Sequence, residues 1–349
     1  MVSTSAPSSM ATDSSPVATV RSLRKSYPGG IVALDGVDLD LSARSITALT
    51  GPNGSGKTTL LRILAGRLAP SSGTVKVLGA DPAGDSVSLR RRVSFISQEL
   101  ALDPEMTGAQ TLRLFAVLYG VPHRKIAARI DELAQSLELK RHLPMRVQAY
   151  SGGLRRRLHL ALGLLDDPEL LLLDEPTAGL DPAGRAFLWA FLKQLAERSA
   201  SIAMITHDLD EVARHCHRVA VIGNGKLLAC ASPQTVVRDH ARRMLRVTLA
   251  TDAPLSDPTL AHLAELPSVK NLRVRGPELS MEIFDEHPAK ERILSMLSSG
   301  NIDVRSFQVQ EPDLASAYFR LTGETAEQQS RRLPGSARGR HTRDGEAAS

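Results

Sequence analysis

The stretch "GPNGSGKTT" combines closely spaced glycines with a lysine and two threonines. Glycines let backbone N–H groups turn inward around a phosphate group. Lys57 can reach the outer phosphates of a nucleotide, and the Thr58 hydroxyl can bind Mg²⁺. The pattern G-x-x-x-x-G-K-[ST] therefore predicts a phosphate-binding loop. Its residues are Gly51, Pro52, Asn53, Gly54, Ser55, Gly56, Lys57, Thr58 and Thr59.

A second stretch, "LLLLDEP", ends an apolar run in two acidic residues. A strand that ends in Asp174 delivers a carboxylate to the edge at which open α/β sheets bind their ligands. Asp174 can hold Mg²⁺, usually through water, and Glu175 is placed to polarise an attacking water. The alternative is a strand that happens to end in two solvated acids. A phosphate loop that already needs a metal partner weakens that alternative.

The third stretch, "YSGGLRRRL" from Tyr150 to Leu158, fits a basic nucleic-acid patch, a flexible break before a charged helix, or a loop that touches phosphate. The net charge of the chain is +5. That excess equals the charge of five arginines near the C-terminus, Arg331, Arg332, Arg338, Arg340 and Arg343. The rest of the chain is close to neutral, so we expect no nucleic-acid partner.

The motifs lie next to short apolar runs, which are candidate strands. These apolar runs alternate along the chain with longer runs of helical periodicity. The apolar runs are "SITALT", "RVSFIS", "LLLLD", "SIAMIT" and "RVAVIG". Continuous apolar runs are typical of strands buried on both faces, which predicts an α/β fold with a largely parallel sheet. Between about residues 99 and 150, "TLRLFAVLYG" and "HRKIAARIDELAQSLEL" predict a helical insertion.

The 349 residues are enough for two domains. Residues 17–241 hold the motifs, and the order β-α-β-β-α-β over residues 244–322 suggests a small ferredoxin-like α+β domain. Residues 1–16 and 323–349 have the composition of a disordered arm and a disordered tail.

Composition and residue spacing disfavour a disulfide-rich protein, a membrane-spanning protein, a secreted protein and a metal site. The two cysteines fit a reducing cytosol, and the richest apolar window is interrupted by Asp166, Asp167 and Pro168, so the chain should not span a bilayer. The start lacks the pattern of a secretory signal. In "HCH", a helix would point His215 and His217 about 200° apart, and a strand would turn Cys216 away from both histidines, which disfavours a metal site.

The phosphate loop, "SGG" and "LLLLDEPTAGLD", in this order and spacing, resemble the nucleotide-binding subunit of an ABC transporter over residues 17–241. The resemblance implies a P-loop NTPase fold, ATP and Mg²⁺ as ligands, and a homodimer that sandwiches two ATP molecules. In that arrangement, Ser151, Gly152 and Gly153 of one copy cover the γ-phosphate held by the other copy.

Further site residues follow from the same resemblance. Tyr27 matches the aromatic residue that stacks on adenine, and Gln98 matches the glutamine that contacts Mg²⁺ and the attacking water. His207 matches the histidine that contacts the γ-phosphate and orients that water. Asp181 matches the loop that couples the two ATP sites. The implied metal ligands are Thr58, Gln98 and Asp174, and the implied catalytic residues are Glu175, His207 and Gln98.

The flanks of "SGG" differ from the commonest form of the family, with Tyr150 in place of Leu and Leu154 in place of Gln. This variant is similar to the branch that energises drug and antibiotic exporters of the daunorubicin-resistance type. The ending "EPDLASAYFRLTG" resembles the small domain of that branch, although Ala315 and Ser316 replace its usual acidic pair. In the helix that follows "SGG", Leu154, Leu158, Leu162 and Leu165 are expected to face the core, with the arginines on the flanks.

The resemblance implies a separately encoded integral-membrane permease as partner. The ATPase would then lie peripherally at the cytoplasmic face of the membrane, with its contact near Gln98 and the helices between Thr107 and Leu139. An importer ATPase, a soluble ABC ATPase acting on nucleic acid or ribosomes, and a P-loop kinase are the alternatives. A kinase needs neither "SGG" nor a histidine at position 207, and the soluble ATPases usually carry two cassettes, a coiled-coil insertion or zinc cysteines.

Overall fold

The computed structural model describes residues 15–84, 87–98, 102–250, 257–283, 286–300 and 302–323. Most of the predicted N-terminal arm, the start of the helical insertion and almost all of the predicted tail lie outside the described residues. The chain divides into two compact units, with the boundary between Asp239 and His240. Within the described ranges, no helix has the length and hydropathy needed to cross a membrane.

The first unit contains β-strands in two sheets. The strands are β1 (Ala18–Ser26), β2 (Val32–Leu41), β3 (Ile46–Thr50), β4 (Ser72–Val77), β5 (Val93–Ile96), β6 (Leu170–Asp174), β7 (Ser201–Ile205), β8 (Arg218–Gly223) and β9 (Lys226–Ala231). The helices are α1 (Lys57–Leu64), α2 (Val87–Arg92), α3 (Gly108–Leu118), α4 (His123–Ser136), α5 (Gly152–Gly163), α6 (Pro182–Arg198), α7 (Leu209–His215) and α8 (Pro233–His240).

The larger sheet has the strand order β5-β6-β7-β3-β8-β9. Its first five strands are the five apolar runs of the sequence, and they pair in parallel, as predicted. Every residue of β3, β6 and β7 is buried, which explains why these strands are apolar throughout rather than alternating. β9 pairs antiparallel with β8 and closes one edge.

A smaller antiparallel sheet, with the order β2-β1-β4, was not predicted. Its sequence signal is the alternation of apolar and polar residues in "VDLDL", where Val37, Leu39 and Leu41 are buried and the aspartates between them are exposed. These side chains share one core with Leu60, Leu61 and Leu64 of α1. The helix that follows the phosphate loop is thus packed against this second sheet.

The helical insertion contains α3 and α4 where the sequence predicts helices. Thr107 caps α3, since its hydroxyl accepts a hydrogen bond from the Gln110 backbone N–H, and the Thr107 backbone N–H in turn donates to Gln110 Oε1. Tyr150, at the end of the insertion, is buried and donates a hydrogen bond to the His142 carbonyl at 2.7 Å. A Cβ atom on Gly108 would overlap the Tyr150 hydroxyl. Tyr150 therefore has a packing role in the insertion.

The second unit contains β10 (Arg243–Leu249), α9 (Asp257–Glu265), β11 (Val269–Arg275), β12 (Glu278–Ile283), α10 (Glu286–Ser299), β13 (Val304–Gln310) and α11 (Leu314–Thr322). The strands form one antiparallel sheet with the order β11-β12-β10-β13. Apolar side chains from one face of this sheet share a core with Leu263, Ala289, Ile293 and Leu297 of α9 and α10. The elements follow one another in the order predicted from the sequence.

His159 on α5 makes the folding free energy depend on pH. Burial, and then the positive charge of Arg156, lower the pKa of His159 to about 4. The unfolded chain, with a histidine pKa of about 6.5, binds the proton more readily, so the folded state loses stability as the pH falls from about 6.5 to about 4. We expect this group alone to cost up to about 3 kcal/mol over that range.

Urea unfolding of the wild type and of His159→Gln at a series of pH values measures this effect. The variant should lose less stability on acidification than the wild type does. His123→Gln, which removes an exposed histidine, is the control for side-chain loss. Equal pH slopes for the wild type and His159→Gln would contradict the assignment.

Candidate functional site

The phosphate loop joins β3, an interior strand of the larger sheet, to α1. Gly51 has φ 153° and Gly56 has φ 101°, values that favour glycine. A Cβ atom on Gly51 would overlap the Ile222 carbonyl oxygen, and one on Gly56 would overlap that of Ala33. These two glycines are therefore required both by their backbone conformation and by the close approach of neighbouring strands.

Lys57 is the first residue of α1, and its side chain turns back into the loop. Its ammonium donates hydrogen bonds to the carbonyl oxygens of Gly51, at 2.7 Å, and Pro52, at 2.8 Å. Lys57 is almost fully buried. The positive charge thus lies inside the loop that the sequence predicts to surround phosphate.

Thr58 and Asp174 come together although they are far apart in sequence. The Thr58 hydroxyl donates to Asp174 Oδ2 at 3.3 Å. Burial raises the pKa of Asp174, and the hydrogen bond from Thr58 partly opposes that shift. A hydroxyl and a carboxylate are the hard oxygen ligands that Mg²⁺ prefers, and Mg²⁺ in nucleotide sites commonly takes one or two carboxylates plus phosphate oxygens. The residues therefore fit the predicted metal.

The three predicted catalytic residues form one cluster around Glu175. His207 Nε2 lies 3.0 Å from Glu175 Oε1, and the Gln98 side-chain amide donates to Glu175 Oε2 at 3.3 Å. The hydrogen bond from His207 lowers the pKa of Glu175, so that its carboxylate form is favoured. The structure places the amide group of Gln98 against Glu175, and its role as a metal ligand stays a prediction.

Arg156 holds the backbone beneath this cluster, a contact that the sequence did not predict. The expectation that the arginines lie on the flanks of α5 is wrong for Arg156, which is buried. Its guanidinium donates to the carbonyl oxygens of Asp174, Glu175 and Pro176, at 3.1, 2.5 and 2.9 Å. Three consecutive arginines give no sequence signal for which one turns inward.

The leucine face of α5 is largely as predicted, since Leu158, Leu162 and Leu165 are buried. Leu165 follows the end of the helix at Gly163, and Leu154 is only half-buried. Leu154 instead lines the cavity beside the "SGG" loop.

Tyr27 follows β1 and lies beside the phosphate loop. Its hydroxyl is 3.3 Å from the Thr59 hydroxyl, and the Lys25 ammonium lies 5.5 Å from its ring centre. The ring is partly exposed. The antiparallel sheet therefore brings the predicted adenine-stacking residue next to the last residue of the phosphate loop.

The residues Ser151, Gly152 and Gly153 lie in a different part of the unit. Ser151 and Gly152 are exposed, and the Ser151 hydroxyl caps α5 by accepting from the Leu154 amide. Ser151 and Gly153 line a cavity of about 540 Å³ together with Asp181, which caps α6 through the Gly184 amide at 2.8 Å. No residue of the phosphate loop lines this cavity. The structure thus separates the predicted site residues into two groups. One group surrounds Lys57 and Glu175, and the other consists of Ser151, Gly152, Gly153 and Asp181.

The residues of "HCH" have separate partners. His215 stacks on Trp189 with ring centres 4.8 Å apart, and His217 Nδ1 accepts a hydrogen bond from the Ile46 amide at 3.0 Å. Burial raises the pKa of the Cys216 thiol to about 12. In the described parts of the chain, no group of three or more His, Cys, Asp or Glu residues is arranged to hold a metal ion.

A phosphate loop after an interior parallel strand, with an acidic strand end beside it, defines a P-loop NTPase. The family model described as "ABC transporter" matches residues 34–178. The daunorubicin resistance ATP-binding protein DrrA3 of Streptomyces coeruleorubidus is 33% identical over 88% of this chain and 96% of its own length. The Nod factor export ATP-binding protein I of Ralstonia nicotianae is 32% identical over 89% and 95%.

Solved structures of ABC transporter ATP-binding proteins are also similar to this chain. The chain resembles CbiO1 of Clostridium perfringens, described as part of an ABC transporter complex, with a TM-score of 0.59 and 27% identity over 72% of this chain and 100% of that one. It also resembles a dimeric ATP-binding cassette bound to ADP and Pi, with a TM-score of 0.56 and 26% identity over 62% and 98%. The chain belongs to the ATP-binding proteins of ABC transporters and is an ATPase.

Two loop glycines give a matched test of this geometry. Gly51→Ala should lower the free energy of unfolding by about 3 kcal/mol or more, because its methyl group meets the Ile222 carbonyl in a conformation closed to alanine. Gly54→Ala should cost only about 1 kcal/mol, since its φ is 79° but the space around it is open.

Fluorescence of Trp189, the single tryptophan, reports urea unfolding of the first unit in each variant. Similar losses of stability in the two variants would contradict the close approach of Gly51 to β8.

Proposed function

We propose that this chain hydrolyses ATP to drive export through an integral-membrane permease encoded as a separate chain. The cargo class we infer is a drug, an antibiotic or a similar hydrophobic compound. The observation that carries the proposal is the cluster of Gln98, Glu175 and His207 at the sheet edge that also holds the phosphate loop. Relatives named for daunorubicin resistance, Nod factor export and linearmycin resistance in Bacillus subtilis support the direction of transport.

ATP binding would use the residues around the loop. Residues 17–241 form the ATP-binding domain in this proposal, and residues 244–322 form an accessory domain. Tyr27 stacks on adenine, the loop amides and Lys57 bind the phosphates, and Thr58 and Asp174 hold Mg²⁺ with Gln98 nearby. When bound, Mg²⁺ neutralises charge that develops on the phosphate oxygens.

Hydrolysis would use the Glu175 cluster. A carboxylate with a lowered pKa stays ionised at neutral pH, and it can accept a hydrogen bond, and then a proton, from an attacking water. His207 and Gln98 each approach one oxygen of this carboxylate, which restricts its rotation. The chain's own part in the reaction is thus to hold one base in one orientation toward the γ-phosphate.

A homodimer would complete each site. Ser151 and Gly152 are exposed, and the cavity that Ser151 and Gly153 line with Asp181 has no wall from the phosphate loop. We propose that Ser151, Gly152 and Gly153 cover the γ-phosphate held by a second copy, and that Asp181 couples the two sites. The dimeric relative bound to ADP and Pi supports this arrangement.

The permease contact would lie on the helical insertion. Leu114, Val117, Leu118 and Tyr119 of α3 and its C-terminal end are exposed although they are large and apolar. A neighbouring cavity is lined by Ser97, one residue before Gln98, and by Phe115 and Tyr119. Docking of the permease here would place the ATPase peripherally at the cytoplasmic face of the membrane.

Glu175→Gln tests the catalytic assignment. The variant should bind ATP with near wild-type affinity but hydrolyse it at least about 10²-fold more slowly, because the amide cannot accept the proton of the attacking water. A dimer with bound ATP should accumulate on size-exclusion chromatography. Glu197→Gln, at an exposed position of α6, is the matched control. Turnover near the wild-type rate in Glu175→Gln would contradict the role of Glu175.

Mixed dimers test the shared site. Ser151→Arg should abolish hydrolysis without weakening ATP binding by the monomer, since Ser151 lies away from its own phosphate loop. Lys57→Ala should also be inactive, because it removes the charge inside the loop. A mixture of the two proteins should regain part of the activity, since each mixed dimer contains one intact site. If no mixture gains activity, the trans arrangement fails.

A further inference from the structure

Arg156 lies near the start of α5, the helix that Ser151 caps. It is 5% exposed, and its guanidinium donates hydrogen bonds to four backbone carbonyl oxygens. Three of them belong to Asp174, Glu175 and Pro176, and the fourth, at 3.5 Å, belongs to Ser97. One side chain thus contacts the two segments that carry Glu175 and Gln98.

The backbone turn from Asp174 to Pro176 has two features that a hydrogen-bond donor such as Arg156 stabilises. Glu175 has φ 48°, a left-handed conformation that is unfavourable for a residue with a side chain. Pro176 supplies no N–H, and the three successive carbonyl groups converge on one point. A guanidinium group with several N–H donors in a fixed plane can satisfy such a set. A lysine ammonium is more compact and less rigid.

Burial of a cation without a carboxylate hydrogen-bond partner is costly, and burial lowers the pKa of Arg156. Helix α5 and the turn are therefore linked by a contact whose loss would leave several buried carbonyl groups without donors. Arg156 is five residues along the chain from Ser151, which corresponds to about 7.5 Å along the helix axis. The same rigid segment presents the exposed loop and holds the turn of the catalytic carboxylate.

We propose that Arg156 is a positioning residue for hydrolysis, which fixes the Asp174–Pro176 turn so that the Glu175 carboxylate stays between His207 and Gln98. This inference rests on the proposed function, since it assigns Arg156 a task only if Glu175 is the base. The hydrogen bonds of Arg156 go to the Asp174–Pro176 turn and to Ser97, so we expect a change at Arg156 to alter kcat rather than ATP binding.

Arg156→Gln in the full chain tests the proposal. Steady-state MgATP hydrolysis should show kcat reduced about 10²-fold, the effect expected of a misplacement of about 1 Å. The Kd for ATP should stay within about twofold of the wild-type value. Arg155→Gln, at an exposed arginine one position earlier on the same helix, should retain wild-type kcat.

Arg156→Lys keeps the positive charge with a different donor geometry, so its kcat should fall between those of the wild type and Arg156→Gln. Trp189 fluorescence during urea unfolding verifies that each variant is folded. Should Arg156→Gln fail to fold, Arg156→Lys carries the same comparison of kcat with Kd.

A double-mutant cycle separates positioning from a general structural role. In single-turnover assays, Arg156→Gln should have little further effect on the residual rate of Glu175→Gln, because both changes act through the same carboxylate. An equal loss in both backgrounds, a matching rise in the Kd for ATP, or wild-type kcat in Arg156→Gln and Arg156→Lys would overturn the inference. Wild-type hydrolysis by Glu175→Gln would instead overturn the proposed function, so the two failures are distinguishable.

Discussion

The parallel pairing of β6, β7 and β3 is the constraint on which the site depends. Parallel strands end at the same edge of a sheet, and here β6 ends in Asp174, β7 is followed by His207, and β3 leads into the phosphate loop. Residues separated by more than 100 positions therefore meet within hydrogen-bonding distance, as Thr58 and Asp174 do. The register of these strands therefore determines which side chains meet at this edge of the sheet.

Backbone conformation is the second constraint, and it acts at two points. In the phosphate loop, Gly51 and Gly56 allow carbonyl groups of neighbouring strands to approach where a side chain would collide. At Glu175 the chain adopts a left-handed conformation without glycine, and the Arg156 guanidinium donates a hydrogen bond to the Glu175 carbonyl oxygen in this turn. Strain at a proposed catalytic residue is thus supported by a buried contact from a different helix.

The two groups of site residues explain why a monomer is proposed to be incomplete. The residues around Lys57 and Glu175 are those proposed to bind phosphate and to catalyse hydrolysis. Ser151 and Asp181 instead surround a separate cavity, and their side chains serve as helix caps within the chain. Capping uses the side chain of Ser151 to fix the start of α5, while the exposed loop remains available to a partner.

The sequence by itself determined the larger sheet and the identity of the phosphate loop, because buried strands leave continuous apolar runs and the loop leaves a fixed spacing of glycine, lysine and threonine. It did not reveal the antiparallel sheet that brings Tyr27 to the loop, although an alternation was present in "VDLDL". Only the tertiary structure decided which of three adjacent arginines is buried, and that Tyr150 closes the insertion by packing against Gly108. The burial of Arg156 and the packing of Tyr150 depend on carbonyl groups and cavities that distant parts of the chain form. A local sequence pattern does not contain that information.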